Sequence, residues 1–318
     1  MKNTLPKITI LTINYNQHKM TLECLDSILN MEYDNFSIYI IDNNSSVSDY
    51  TKLKDNLPDD PRVNLLKTDR NLGYGKGINF GFDNIKELDP DYWLIMNNDT
   101  IIDSQALKEL VKVSEEYNRN AIVSGVVYYF EDIKRIQYYG SNFSDEFLSE
   151  NYLHRDEIDM GQLTKSEVDM VDDIFWLLPN KIHNRIGNYP PWYFMYAEQA
   201  DYALMVINAG FKLVVTPNAK IWHKGELSSG ETKGNAITRY WRIKSSLIFL
   251  YRHLDRKLFW KKFRVQFFKL PIKVLFYFKT PNTFKENLAS YLGFLNFVRW
   301  LCIKDIDYGY NPFIKRKK

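Results

Sequence analysis

Apolar positions in the first 120 residues follow two alternating rhythms. "KITILTINY" (7–15), "FSIYIID" (36–42), "VNLLKTD" (63–69) and "YWLIMNN" (92–98) are short apolar runs, the pattern of strands buried on both faces. Between the first two, "MTLECLDSILNM" (20–31) sets Met20, Cys24, Ile28 and Met31 at helical spacing, with Leu22, Leu25 and Leu29 close by. "GKGINFGFDNIKEL" (75–88) reads as a glycine-rich helix start, and "SQALKELVKVSEEY" (104–117) as a helix with Ser104 as N-cap. Such repeats predict an α/β domain: a mainly parallel sheet with helices on both faces.

After residue 120 the pattern is mixed. "AIVSGVVYYF" (121–130) reads as a strand, and 131–170 as a polar, acidic, loop-rich excursion. "WYFMYAEQADYALMVINAG" (192–210) enters a helix that Gly210 ends as C′ residue. "KLVVTPNAKIWHKG" (212–225) holds two strand-like pieces broken by Pro217.

Charge divides the chain of 318 residues. Residues 1–235 carry 23 Lys+Arg against 35 Asp+Glu, whereas 236–318 carry 19 against 4 and hold 20 of the 49 aromatics. The asymmetry predicts two parts with different partners: one over 1–235, whose pattern changes near 120, and a helical basic-aromatic region over 236–318. Cys24 and Cys302 form no CxxC pair, which argues against a disulfide framework or a zinc site. "MKNTLPKITILTINYN" lacks the apolar core of a secretory signal, and no uncharged apolar run reaches the ~18 residues of a membrane span. A cytoplasmic protein is expected.

Ligands of doubly wound sheets sit beyond the carboxyl ends of the strands. Here those ends are polar: "NYNQ", "DNNSS", "TDRNLGYG" and "NNDT". Asp42 can accept a base N–H or a ribose hydroxyl, or cap a turn, and the residues leave these readings even. Glycines 73, 75, 77 and 81 let the backbone approach another chain or a phosphate, and helix packing explains some of them equally well. A dinucleotide fingerprint fails, because Ile78 stands at the third glycine and the loop follows the third strand, not the first. This argues against a nucleotide-dependent dehydrogenase. Asp99 can hold Mg²⁺ or Mn²⁺ with phosphate and water completing the shell. It is a poor cap for the next helix, since Asp103 and Ser104 are better placed. Glu198 and Asp201 share a helix face at i, i+3 and offer a general base; acids at a helix start are also ordinary. His223 can complete a metal site as neutral imidazole, or be structural.

In this order the motifs resemble family 2 glycosyltransferases of the GT-A fold. The pieces are "ITILTINYN" (8–16), "IIDNNSS" (40–46), "NLGYGKGINFG" (71–81), "MNNDT" (96–100), "FMYAEQAD" (194–201) and "AGFKLVVTPNAKIWHKG" (209–225). They look like the bacterial rhamnosyltransferase-like branch that builds capsule, O-antigen or other cell-surface polysaccharides. The resemblance implies inverting transfer from a nucleoside-diphosphate sugar, dTDP-rhamnose or a UDP-hexose, to a glycan or lipid-linked acceptor. It assigns the nucleobase to Asp42, and the cation and diphosphate to Asp99 and His223. Thr12, Asn14, Asn16, Asn71, Gly73, Gly77, Asn79 and Asn98 are assigned to the nucleotide. Glu198 or Asp201 is the base, with Glu198 preferred as the usual first acid of the motif.

Three departures stand out. The metal motif reads Asn97-Asn98-Asp99, and the acidic motif reads Glu198-Gln199-Ala200-Asp201. "DDIFWLLPNK" (172–181) replaces the expected glycine-rich acceptor segment. The last two keep a non-catalytic sugar-nucleotide-binding scaffold in play. Residues 255–303 interleave Lys/Arg with Phe, Trp, Tyr and Leu. They predict helices lying on the anionic inner face of the plasma membrane, or aromatics packed on the catalytic domain. No nucleic-acid motif accompanies them.

Overall fold

The computed structural model describes residues 5–85, 89–225, 235–276 and 280–314. The N-terminal part alternates β1 (Ile8–Asn14), α1 (His18–Leu29), β2 (Phe36–Asp42), α2 (Val47–Asp55), β3 (Val63–Lys67), α3 (Tyr74–Asn84) and β4 (Tyr92–Met96). Strands β1 to β4 pair in parallel in the order β4-β1-β2-β3. Side chains alternate across this sheet as the pleat requires. Ile8 and Ile10 of β1, with Tyr92, Leu94 and Met96 of β4, pack under α1 and against Leu53 of α2. Leu11, Trp93 and Ile95 face the other way, toward Ile78 and Phe82 of α3. Both faces are therefore covered, as the apolar runs predict. Residues 86–88, the end of the helix expected over 75–88, lie outside the described residues.

The sheet continues through β5 (Thr100–Ile102), α4 (Ala106–Glu116), β6 (Ala121–Tyr129), β7 (Ile136–Tyr138), β10 (Ser166–Val168), β11 (Phe175–Pro179) and β12 (Lys212–His223). Strands β8 (Ser141–Phe143) and β9 (Glu150–Tyr152) form a separate hairpin. The excursion over 131–170 thus contains short strands. Strand β11 slots antiparallel between β4 and β6, and β12 runs parallel to β6.

Two local expectations change. Helix α4 begins at Ala106, and Ser104 does not cap it; the Asp103 carboxylate instead accepts the Gln105 N–H at 2.9 Å. Pro217 does not split β12 into two elements. The ladder to β6 shifts register between Val215 and Lys220, and Gly125 makes room there, since a Cβ would lie 2.2 Å from the Ala219 oxygen.

Helices α5 (Asn180–Ile186) and α6 (Glu198–Asn208) precede β12. Gly210 ends α6 at φ +87°, with its N–H donating to Ile207 O and the Phe211 N–H to Val206 O, a Schellman stop. Three helices follow: α7 (Ala236–His253), α8 (Arg256–Phe276) and α9 (Pro281–Ile303). They join the α/β part through Tyr193 and Leu204, packed among Ile248, Phe259, Phe294, Phe297 and Trp300. Among the described residues no helix is long and apolar enough to cross a membrane.

Candidate active site

The register of β5 against β12 sets the centre of the site. Thr100 pairs with His223, so the residue before Thr100 meets the imidazole. Asp99 Oδ1 lies 3.1 Å from His223 Nε2. The pair is close but not aligned as a hydrogen bond: both Asp99 oxygens and His223 Nε2 are buried without a hydrogen-bond partner. On its other side, His223 Nδ1 is 2.6 Å from Gln137 Oε1. Nδ1 is therefore assigned as the protonated nitrogen, which turns the Nε2 lone pair toward Asp99. Two unpaired oxygens and an imidazole lone pair converging in a buried place fit a hard divalent cation. Among the described residues no group of three or more His, Cys, Asp or Glu is arranged to hold a metal. A cation here must take its remaining ligands from phosphate and water.

The Asn98 amide before Asp99 has its own work. Asn98 Nδ2 donates to Thr21 Oγ1 at 2.8 Å, Thr21 Oγ1 donates to Asn14 Oδ1 at 2.8 Å, and Asn14 Nδ2 donates to Asp42 Oδ2 at 2.8 Å. This buried relay ties the Asp99 turn to the end of β2. A carboxylate at position 98 would lose the first donor and add a second buried charge beside Asp99. Asp42 is fully buried, and its Oδ1 accepts the Ser45 N–H at 3.1 Å; here it fixes the turn that closes β2. Asn16 does the same from β1, at φ +58°, accepting the Ser46 N–H at 2.8 Å. Thr12 is buried with its hydroxyl unpartnered.

The glycine segment makes close approaches to protein. Gly73 sits at φ +80°, and a Cβ there would lie 2.1 Å from the Phe194 oxygen. Asn71 Oδ1 accepts the Gly73 N–H at 2.8 Å. Gly77 packs on Ile13, where a Cβ would fall 2.7 Å from Cδ1. Asn79 clamps the Tyr189 backbone, donating to its oxygen and accepting from its N–H, each at 2.8 Å. Of the residues assigned to the nucleotide, these four hold α3 and the turn before it against the sheet and the 189–198 segment.

That segment delivers Glu198. Tyr196 and Ala197 both take φ +67°, a left-handed pair that sets the start of α6. Gly75 leaves space for the Glu198 side chain, whose Cγ would be 3.2 Å from a Cβ there. Glu198 is 4% exposed and its Oε2 has no hydrogen-bond partner. Burial pushes its carboxyl up to about 7, with nearby Lys76 pulling the other way and Asp172 adding to the rise. Burial also brings Lys76 down to about 8, and its Nζ donates to the Tyr193 oxygen at 2.6 Å.

Asp201, one turn along, faces elsewhere. It accepts from Tyr193 Oη at 2.7 Å and Arg252 Nε at 2.6 Å, and sits 2.6 Å from His253 Nε2. Its carboxylate ties α6 to α7. Asp201→Ala strands Arg252 and the buried His253, and is expected to cost about 3 kcal/mol, read as a lowered Tm.

Four residues of the site escape sequence reading. The Tyr74 hydroxyl donates to the Asp173 carbonyl at 3.2 Å. Burial, then the charges of Asp173, Asp172, Glu198 and Asp99, raise its pKa well above the usual tyrosine value. Asp172, His223 and Gln199, the residue after Glu198, line one cavity, so the Asp99–His223 pair and the candidate base border the same place. Asp172 and Asp173 precede β11; burial raises both, and the charges of Asp172 and Glu198 raise Asp173 further. Gln137 orients His223. The visible signal was "DD" before an apolar run, but its place beside Asp99 depends on β11 pairing with β4. A cavity of about 580 Å³ opens beside this cluster, lined by Tyr129, Tyr138, Glu150, Tyr152, Asp172 and His223 among others.

The sequence profile described as "Glycosyl transferase family 2" matches residues 9–185, more than half of the chain. The chain belongs to glycosyl transferase family 2. Among curated proteins no sequence matches it. Solved structures of similar shape include the mannosyltransferase PcManGT of Pyrobaculum calidifontis with GDP-Man and Mn²⁺, at TM-score 0.55 and 13% identity over 92% of this chain and 88% of that one. GalNAc-T7 with UDP, GalNAc and Mn²⁺ gives 0.55 and 12% over 70% of this chain. This chain spans 44% of GalNAc-T7. TarS 1–349 of S. aureus with UDP-GlcNAc gives 0.53 and 12% over 80% and 69%. At such identity the likeness shows the fold, which is GT-A. Family membership makes the chain a glycosyltransferase.

Proposed function

We propose that this family member moves a sugar from a nucleoside-diphosphate sugar to a hydroxyl of a glycan or lipid-linked acceptor, with inversion. The observation that carries it is the buried Asp99–His223 pair, with no hydrogen bond between them, beside a cavity that the residue after Glu198 also lines. Asp99 and His223 hold Mg²⁺ or Mn²⁺ together with the diphosphate. When bound, the cation offsets charge developing on the leaving nucleoside diphosphate. The nucleoside lies over the ends of β1 and β2, on the turn fixed by Asp42, Asn14 and Asn16. The cavity takes a sugar: its tyrosines offer stacking faces, and Glu150 and Asp172 accept hydroxyl hydrogen bonds.

Glu198 is the base and Asp201 the anchor that holds its helix. Glu198 takes the acceptor hydroxyl proton as that oxygen bonds to the anomeric carbon. The carbon's bond to the phosphate oxygen breaks, and the electron pair leaves with the diphosphate. The motif set further supports the rhamnosyltransferase-like branch, hence a role in capsule, O-antigen or related polysaccharide synthesis. Hydrolysis of UDP-, dTDP- and GDP-sugars, with Mg²⁺, Mn²⁺ or chelator, tests the reading. Release of one nucleoside diphosphate, stopped by chelator, is the expected result. Tight nucleotide binding without turnover on any donor, unchanged by Glu198→Gln, would favour a scaffold.

A further inference from the structure

Helix α8 is apolar on two sides, and the packing uses only one of them. Phe259 and Leu270 are buried, and Phe259 and Phe263 meet Phe297 and Phe294 of α9 at ring separations of 6.0 and 5.1 Å. On the opposite side, Val265, Phe268, Ile272 and Leu275 recur at spacings of three and four residues, one stripe of a helix. They are exposed by 57, 64, 50 and 70%, and Phe276 beside them by 79%. Monomeric proteins rarely leave such a patch uncovered. From Arg256 to Phe276 the helix carries seven Lys/Arg and no Asp or Glu.

We propose that this outer stripe of α8 docks on an anionic lipid surface, with the apolar side chains at the acyl boundary and the lysines and arginines among the headgroups. Charge selects this occupant. A second copy would bring the same seven cations against these, while an anionic bilayer complements both the charge and the apolar stripe. The neighbouring structure suits the placement. The loop joining β8 to β9 carries Phe147, with Lys262 and Lys261 of α8 over its ring at 5.3 and 5.9 Å. Strand β9 ends at Tyr152, on the cavity wall. Docking through α8 therefore brings the bilayer beside the hairpin that borders the cavity, where a lipid-linked acceptor would arrive. The acceptor consequence rests on the proposed transfer; the docking itself does not.

Flotation of the full chain with vesicles tests it. Phosphatidylglycerol-containing vesicles are expected to carry at least about tenfold more protein than pure phosphatidylcholine, less so as salt rises. The triple variant F268S/I272S/L275S changes only exposed positions and should keep its circular dichroism spectrum and Tm. It is expected to lose about tenfold or more of the vesicle binding. A wild-type chain that ignores anionic vesicles overturns the proposal, as does a triple variant that floats equally well. A lipid-free dimer dissolved by the triple variant would assign the stripe to a second copy instead. Retention on polyglutamate without vesicle binding would assign it to an acidic protein.

Discussion

Asp99→Ala is expected to lower cation-dependent turnover about a thousandfold, a loss of about 4 kcal/mol in the transition state. The carboxylate is 1% exposed, and neither oxygen has a hydrogen bond. Leaving a buried acceptor unpaired costs about 1–3 kcal/mol, so Asp99 works against the stability of the free protein. The alanine variant is therefore expected to match or exceed the wild-type Tm while losing activity, a pairing that separates function from folding. Ligand-linked melting supplies the second readout. Mn²⁺ with a nucleoside diphosphate should raise the wild-type Tm, as binding to the native state must, and should leave the variant unmoved. Full wild-type activity in chelator, or unimpaired turnover by the variant, would remove the cation from the scheme.

How far the sequence reveals this site depends on how local each contact is. The apolar runs of β1, β2 and β4 are a pattern that each strand displays by itself, so the α/β class and the polar strand ends are legible. Helix α2 is not legible from apolar spacing. Its apolar content is sparse, though Ser46 caps it by accepting the Asp49 N–H at 3.3 Å, and Ser-x-x-Asp was there to see. The Asp99–His223 contact joins residues more than 120 positions apart through the β5–β12 register, and no local pattern encodes a register. Motif order reached it only by resemblance. Glu198 and Asp201 look equivalent on a helical wheel, yet α7 brings Arg252 and His253 to one and not the other. The glycine segment signals close approach without naming what approaches, a chain or a phosphate; at Gly73 the Phe194 backbone comes close. In the tail, one side of α8 packs its aromatics on α9 through Phe259 and Phe263, and a lipid surface is the proposal for the other side.

Glu198→Gln is expected to lower kcat by about 10²- to 10⁴-fold, with little change in donor binding. Gln keeps the shape of the side chain and removes only the proton acceptor. The pH dependence gives the sharper reading. A base must be deprotonated to act, and burial holds this carboxyl at about 7 in the free protein. Wild-type kcat/KM is thus expected to fall tenfold per pH unit below about 7, and the residual rate of the variant should lack that limb. Stability should move the opposite way. The native carboxyl titrates near 7 against an ordinary 4.5, so between these values the native state holds more protons than the unfolded chain. Stability contributed by this group is complete below 4.5 and is lost as pH rises through 7. The full cost at higher pH is on the order of 3 kcal/mol. The glutamine variant has no such charge to bury and is expected to melt above wild type at pH 8. If instead Asp201→Asn removes the acid limb and Glu198→Gln preserves it, the base is Asp201, and the contacts from Arg252 and His253 must open before the reaction.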